Sequence, residues 1–512
     1  MERGAGILMH IASLPGKFGI GTFGKEAYKF ADFLNQSGIK YWQLLPVGHT
    51  SYGDSPYQCF SAFAGNPYFI DFDILAEQGL LEEEDYINEN YGEDEENVDY
   101  GLIFKVKYDV LRRAFARYKE HEEDWFGELK AKLEAFKEEK AFWLEDYSLY
   151  MAVKNHFGLV SWSNWDDDIK KRHVSAMKKY KKELAEEIEF WSFVQFLFFE
   201  QWLKLKSYVN ELGIKIIGDI PIYVAEDSVD TWSNPKNFKI NKTTLEPLVV
   251  AGCPPDAFSE TGQLWGNLIY DWKYMKRDKY SWWVSRIRES LNLYDVLRID
   301  HFRGFEAYWE IPYGEETAIN GEWVKGPGID LFNVIKQELG EVEIIAEDLG
   351  YQTESLVEFL KETGYPGMKV LQFAFGGGDG SNDYLPHNYG KNYIAYTGTH
   401  DNDTFYGWFT ETGSKESAVE AKRYLGLNKE EGYNWGFIRG VWNCVADTAI
   451  APMQDFLGLG NESRINFPST TSGNWTWRAK PNSFDLDLAN KIYDLTLRTG
   501  RCEAPKKEEE EN

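Results

Sequence analysis

Cysteine is scarce in this 512-residue chain, and the four present stand apart: Cys59, Cys253, Cys444 and Cys502 form no C-x-x-C pair. That excludes a zinc-ribbon or disulfide-built fold and suits a reduced, cytoplasmic setting. Long hydrophobic runs are missing too. The greasiest, Phe190 to Phe199, is about half of the ~20 residues that span a bilayer. Near the start, His10 interrupts the apolar Ile7, Leu8 and Met9 and no cleavage site follows, so this reads as a first strand, not a secretory leader. Basic charge is in deficit, with 55 Lys and Arg against 83 Asp and Glu and a net charge of −28. Such a surface repels nucleic acid and anionic membrane, and leaves neutral or cationic substrates. Internal repeats and low-complexity segments are absent, apart from a lysine pair and acidic run at 505–512 that is expected to be disordered.

Aromatic residues, by contrast, are plentiful at 16%, including 19 Trp. They can serve an ordinary core, or stack on the apolar C–H faces of sugar rings. Short apolar runs suited to parallel strands recur at Gly6–Ile11, Tyr41–Pro46, Ile214–Gly218, Val296–Ile299, Glu343–Ala346, Met368–Phe373, Tyr393–Tyr396 and Thr448–Met453. Helical periodicity at Glu26–Ser37, Leu331–Leu339 and Thr353–Thr363 falls between them. This βαβα rhythm, eight times over, predicts an α/β chain closed into a (β/α)8 TIM barrel. The barrel is expected over 1–504, interrupted by a mainly helical insertion at 72–212 and a loop-rich one at 224–291. Insertions after strands land on the catalytic face, so both should wall a cleft.

The strand Val296–Ile299 turns abruptly charged, through Arg298, Asp300, His301 and Arg303. A carboxylate at the carboxyl end of a buried strand is where a barrel enzyme keeps its chemistry. Arg298, two residues earlier, should hold Asp300 ionised. Three other strand ends also carry a carboxylate: Asp219, Glu347 and Asp401, the last preceded by His400. Converging carboxylates serve either a divalent metal or acid/base and nucleophilic work at an acetal. The set lacks a further His or Cys ligand pair, and Arg298 would repel a cation, which favours the acetal. There, Asp300 suits a nucleophile. Glu347, following an apolar strand among negative neighbours, should have its pKa raised as an acid's must be. Asp401 can stabilise an oxocarbenium-like transition state, while His400 binds hydroxyls. Asp219 fits a structural hydrogen bond as well as a direct role, and His301 fits packing as well as contact.

In this order, Asp219, Arg298-x-Asp300, Glu347 and His400-Asp401 resemble the α-amylase clan of retaining α-glycosidases. The longer strings GDSPYQ (53–58), GDIPIYV (218–224), PPDAFSETGQLWGN (254–267), LRIDHFRGF (297–305), IAEDLG (345–350), PGMKVLQFAF (366–375), GTHDNDT (398–404) and GNWTWR (473–478) resemble the amylomaltase, or 4-α-glucanotransferase, family over almost the whole chain. The resemblance implies transfer of α-1,4-glucan segments between maltooligosaccharides through a covalent glycosyl-enzyme. It implies Asp300 as nucleophile, Glu347 as acid/base and Asp401 as transition-state stabiliser. Ser55, Tyr57, Asp219, Trp265, Arg298, His301, His400 and Asn466 would contact substrate, and the loop bearing Trp265 would cover the glucan. Neither a metal nor an organic cofactor is implied, since exchanging one acetal for another needs neither redox nor phosphate. Cys253, Leu268 and Ser469 depart from the family pattern, which touches loop shape and not the carboxylates. An α-amylase-type hydrolase and an inactive glucan-binding protein are the alternatives; retention of all three central carboxylates weighs against the second.

Overall fold

In chain order the strands are β1 (Gly4–Leu8), β2 (Tyr41–Gln43), β3 (Lys215–Pro221), β4 (Val249–Cys253), β5 (Gln263–Leu268), β6 (Val296–Asp300), β7 (Ala307–Pro312), β8 (Glu322–Lys325), β9 (Ile344–Ala346), β10 (Gly367–Val370), β11 (Tyr393–Tyr396) and β12 (Thr448–Pro452). They belong to a computed structural model that describes residues 1–51, 53–255, 259–350, 352–470 and 472–504. The acidic tail at 505–512 lies outside the described residues. Eight of the strands form one parallel sheet in the order β10-β11-β12-β1-β2-β3-β6-β9. The sheet curls until its ends meet: the Ala346 amide donates to the Pro366 carbonyl at 2.9 Å. Beside it the Met368 amide donates to Asp348 Oδ1 at 2.7 Å. This is the (β/α)8 barrel that the strand rhythm predicts.

Period-two alternation decides what the barrel holds. Leu8, Tyr41, Ile217, Val296, Ile345, Val370, Ile394, Tyr396 and Ile450 form a cluster of their own inside it. Their neighbours Ile7, Trp42, Ile216, Leu297, Ile344 and Ala395 join the larger core outside. Continuing the inward positions two by two up the strands gives Gln43, Asp219, Arg298, Asp300 and Glu347. The apolar filling therefore ends, and the polar mouth begins, on the same set of inward-facing registers.

Between β2 and β3 the chain is helical, with long helices at Tyr100–His121, Gly127–His156 and Ala185–Glu211. The Ala185–Glu211 helix buries Phe190, Trp191, Phe193, Phe196, Phe198 and Trp202, so its greasy run is core and not a membrane segment. No described helix is long and apolar enough to cross a membrane. Crossover helices follow local rules. Glu354–Thr363 starts where the Thr353 hydroxyl accepts from the Leu356 amide at 3.2 Å. It stops at Gly364, whose φ of 72° closes the last turn at no steric cost.

Two features differ from the sequence reading. β3 continues to Pro221, so Asp219 sits within the strand and not beyond its end. The segments 249–268 and 307–325 also build an antiparallel sheet, β5-β4-β7-β8. A register shift between Val250 and Gly252 breaks the alternation that would have revealed it.

At the opposite end of the barrel, Arg501 is 1% exposed and has no carboxylate partner among its hydrogen bonds. Its guanidinium instead donates to the carbonyls of Trp442 at 2.8 Å, Gly4 at 3.0 Å, Asp447 at 3.0 Å, Ala446 at 3.1 Å and Cys444 at 3.2 Å. One side chain thus ties the starts of β1 and β12 to the end of the Tyr433–Trp442 helix. Arg501→Ala would orphan several buried carbonyls and is expected to cost about 2–4 kcal/mol of stability. Denaturant unfolding should show that loss, with specific activity of the folded fraction unchanged.

Candidate active site

Arg298 organises the mouth. It is 3% exposed and bridges two carboxylates, Asp219 Oδ2 at 2.5 Å and Asp300 Oδ1 at 3.0 Å. The register explains why: Asp219 pairs with Arg298 across β3 and β6, and Asp300 points inward two residues later. Asp219 is fully buried and also accepts from the Tyr57 hydroxyl at 2.9 Å. Burial pushes its carboxyl up to about 6, against the pull of Arg298, so it stays ionised at neutral pH. Its other oxygen, Oδ1, is buried with no hydrogen-bond partner among the described residues.

Glu347 stands next to this pair. Ile299 pairs with Ala346 across β6 and β9, so Asp300 and Glu347 follow at matching positions on neighbouring strands, which run about 4.8 Å apart. The Glu347 carboxylate accepts the amides of His301 and Leu349, each at 2.8 Å. Burial, and then the charge of Asp300, push it up to about 8, outweighing Arg298 and the amide donors. At neutral pH this carboxyl holds its proton. His301 has a left-handed φ of 51°, which turns its amide toward Glu347. Burial pushes its imidazole down to about 4, so the ring is neutral.

The other wall comes from loops after β2, β11 and β12. The rings of Tyr57 and His400 stack 5.1 Å apart at 16°, with Trp475 5.9 Å from Tyr57. Ser55 accepts the Tyr57 amide at 3.3 Å and so shapes that loop. Asp401, still partly exposed, accepts from the Asn466 amide group at 2.6 Å and lies 3.4 Å from His400 Nε2. On the side of the antiparallel sheet, Trp265 meets the His301 ring edge-on at 4.8 Å. Positions 256–258, in the loop before Trp265, lie outside the described residues.

All eleven residues singled out in the sequence therefore gather at one mouth, linked through these contacts. Among the described residues, no group of three or more His, Cys, Asp or Glu side chains is arranged to hold a metal ion. Arg298 takes the place between carboxylates that a cation would need.

Three residues escaped the sequence reading. Arg464 donates to the Asp401 carbonyl at 2.7 Å and the Asn466 carbonyl at 2.8 Å, and pairs with Asp403. It clamps the Asp401 loop from a segment 63 residues away, with no spacing to betray it. His10, buried and neutral, is pushed down to about 3 by burial and then by His400. Trp475 is within a quoted string but carried no signal of its own. Ser469 adopts a left-handed φ of 66°, where the glycine expected from the family pattern would be unstrained.

A family model described as 4-alpha-glucanotransferase matches residues 9–484. The 4-alpha-glucanotransferase of Clostridium butyricum is 62% identical over 495 residues, spanning 97% of this chain and 100% of the relative. That of Thermus thermophilus is 47% identical over 508 residues, spanning 98% and 99%. Among solved structures, an amylomaltase from Streptococcus agalactiae in complex with acarbose superposes with a TM-score of 0.95 at 43% identity, covering 98% of this chain and 100% of that one.

Proposed function

The chain belongs to the 4-alpha-glucanotransferase family, and from that premise we propose how its mouth side chains divide the chemistry. Its reaction moves an α-1,4-glucan segment from one chain to the 4-hydroxyl of another, with retention at the anomeric carbon. In the first half, an Asp300 oxygen bonds to the anomeric carbon as the glycosidic C–O bond breaks. The departing 4-oxygen takes its proton from Glu347. In the second half, the acceptor's 4-hydroxyl gives its proton to the Glu347 carboxylate while its oxygen displaces Asp300. Asp401 faces the positive charge that develops between these states.

The observation that carries this reading is the contrast in surroundings between two adjacent carboxyls. Asp300 is tied to Arg298, whereas burial and Asp300 itself hold Glu347 protonated up to about 8. A raised acid beside an arginine-held carboxylate supplies an acid and a nucleophile at the same site. Asp219, Arg298, Tyr57, His301 and His400 bind the sugar at the cleaved bond, Ser55 and Asn466 hold the loops that touch it, and Trp265 covers it. The segments 72–212 and 224–291 wall the cleft as insertions into one barrel, and α-glucans from maltooligosaccharides to starch or glycogen are the substrates. A cytoplasmic site of action belongs to the same proposal, supported by cysteines that form no disulfide among the described residues.

Transfer and hydrolysis separate in one experiment. Water stands at roughly 55 M, so only a held acceptor and an excluded solvent give transfer. Pure maltotriose should yield glucose plus a ladder of longer maltooligosaccharides at nearly constant total reducing ends. Reducing ends that climb steadily, with no longer products, would overturn the reading.

A further inference from the structure

The antiparallel sheet carries two tryptophans that the bond exchange itself does not use. Trp309 on β7 and Trp323 on β8 are direct cross-strand partners, so both rings rise from one face. They meet edge to face at 5.4 Å and 69°. Trp309 is anchored: its indole N–H donates to the Ala318 carbonyl at 2.8 Å. Gly321 leaves the room it needs, since a Cβ there would come within 2.3 Å of the indole nitrogen.

Trp323 is different. It is 44% exposed on a short outer strand, between the exposed Glu322 and near the exposed Lys325. Leaving so large an apolar surface in water is unfavourable, yet the ring is held in place: the Arg303 guanidinium lies over it, 4.3 Å from the centroid. Arg303 belongs to the turn Phe302–Phe305 that directly follows Asp300 and His301. The same turn is stapled to the end of β8, with the Gly326 amide on the Glu306 carbonyl and the Gly328 amide on the Phe305 carbonyl, each at 2.8 Å. A continuous path thus leads from Asp300 through Arg303 to Trp323. It leaves the mouth beside Glu347, which accepts the His301 amide, and not beside the Tyr57–His400 stack.

We infer that Trp323, backed by Arg303 and Trp309, is a stacking platform for a glucose ring of the acceptor glucan, several units beyond the new bond. This rests on the transferase reading, because the acceptor hydroxyl must enter on the Glu347 side to surrender its proton there. A flat ring with one face fixed by a guanidinium offers the remaining surface to the C–H face of a neutral sugar, and it needs no charge on the ligand. Short acceptors would not reach it.

The test supplies one unlabelled donor and isotope-labelled acceptors from glucose to maltoheptaose, and measures acceptor KM by chain length. Trp323→Ala should raise KM for maltohexaose and longer acceptors roughly five- to tenfold, about 1 to 1.4 kcal/mol of lost contact. KM for glucose should stay within about twofold, and Trp323→Phe should recover most of the loss through its remaining ring. Trp323→Leu, which keeps apolar bulk without a flat ring, should resemble the alanine variant and guards against misfolding of the latter. KM values that stay unchanged at every length, or rise equally at every length, would overturn the platform. So would a change in solution mass on Trp323→Ala, which would make the ring a contact between copies of the chain. If the parent enzyme itself fails to transfer to glucose, the transferase reading fails instead.

Discussion

Asp300→Asn is expected to lower turnover at least about a thousandfold while leaving fold and glucan binding nearly intact. The carboxylate supplies the covalent bond to the anomeric carbon, and no neutral amide can replace that nucleophile. Asparagine keeps the shape and an oxygen for Arg298, which also stays paired with Asp219 at 2.5 Å. The buried guanidinium is therefore not orphaned, and stability should change little. Steady-state kinetics on maltotriose, with glucan binding measured separately, checks both halves. Residual activity above about a tenth of the parent would remove Asp300 from its role.

Glu347→Gln should divide substrates by leaving group. Maltooligosaccharides depart as a poor leaving oxygen that needs a proton, and loss there should reach about 10²–10⁴-fold. An α-glucosyl fluoride departs unaided, so formation of the intermediate should be largely restored. The pH profile follows the same group. Its acid form is the active one for bond cleavage, so kcat/KM of the parent should fall as pH rises through about 8. That alkaline limb should vanish with the fluoride donor. Stability carries the matching sign. Because the folded carboxyl holds its proton more tightly than the ordinary 4.5, its contribution is complete below about 4.5 and is lost as pH rises through about 8. Glu347→Gln should accordingly gain thermal stability over the parent at pH 8.5 more than at pH 5.

Much of this was legible in the sequence because barrel strands are short, apolar and separated by regular helices. Each of the eight runs became a strand, and their carboxyl ends carried the charged residues. Alternation then placed Asp219, Arg298, Asp300 and Glu347 on one inward face. What escaped lies off the barrel strands. β4 and β5 are interrupted by glycine and a register shift, so their pattern resembles a loop. Arg464 acts through backbone carbonyls of Asp401 and Asn466, and no side-chain motif encodes such a contact. Trp323 stands in a strand of four residues, too short for periodicity to speak. The strength of burial at Glu347 was legible only in direction, since its size depends on how closely Asp300 and the β9 strand surround it.

The most direct measurement is covalent. Glu347→Gln would be incubated with a 5-fluoro α-glucosyl fluoride, whose good leaving group permits the first step. Its ring fluorine slows both steps by destabilising the oxocarbenium-like transition state, and the missing acid/base slows release further. Peptide mass mapping of the quenched protein should find one added glycosyl group, on the peptide carrying Asp300 and on that carboxyl. The label on Asp219 or Asp401, or glycosyl transfer that proceeds with no labelled peptide at all, would contradict the account.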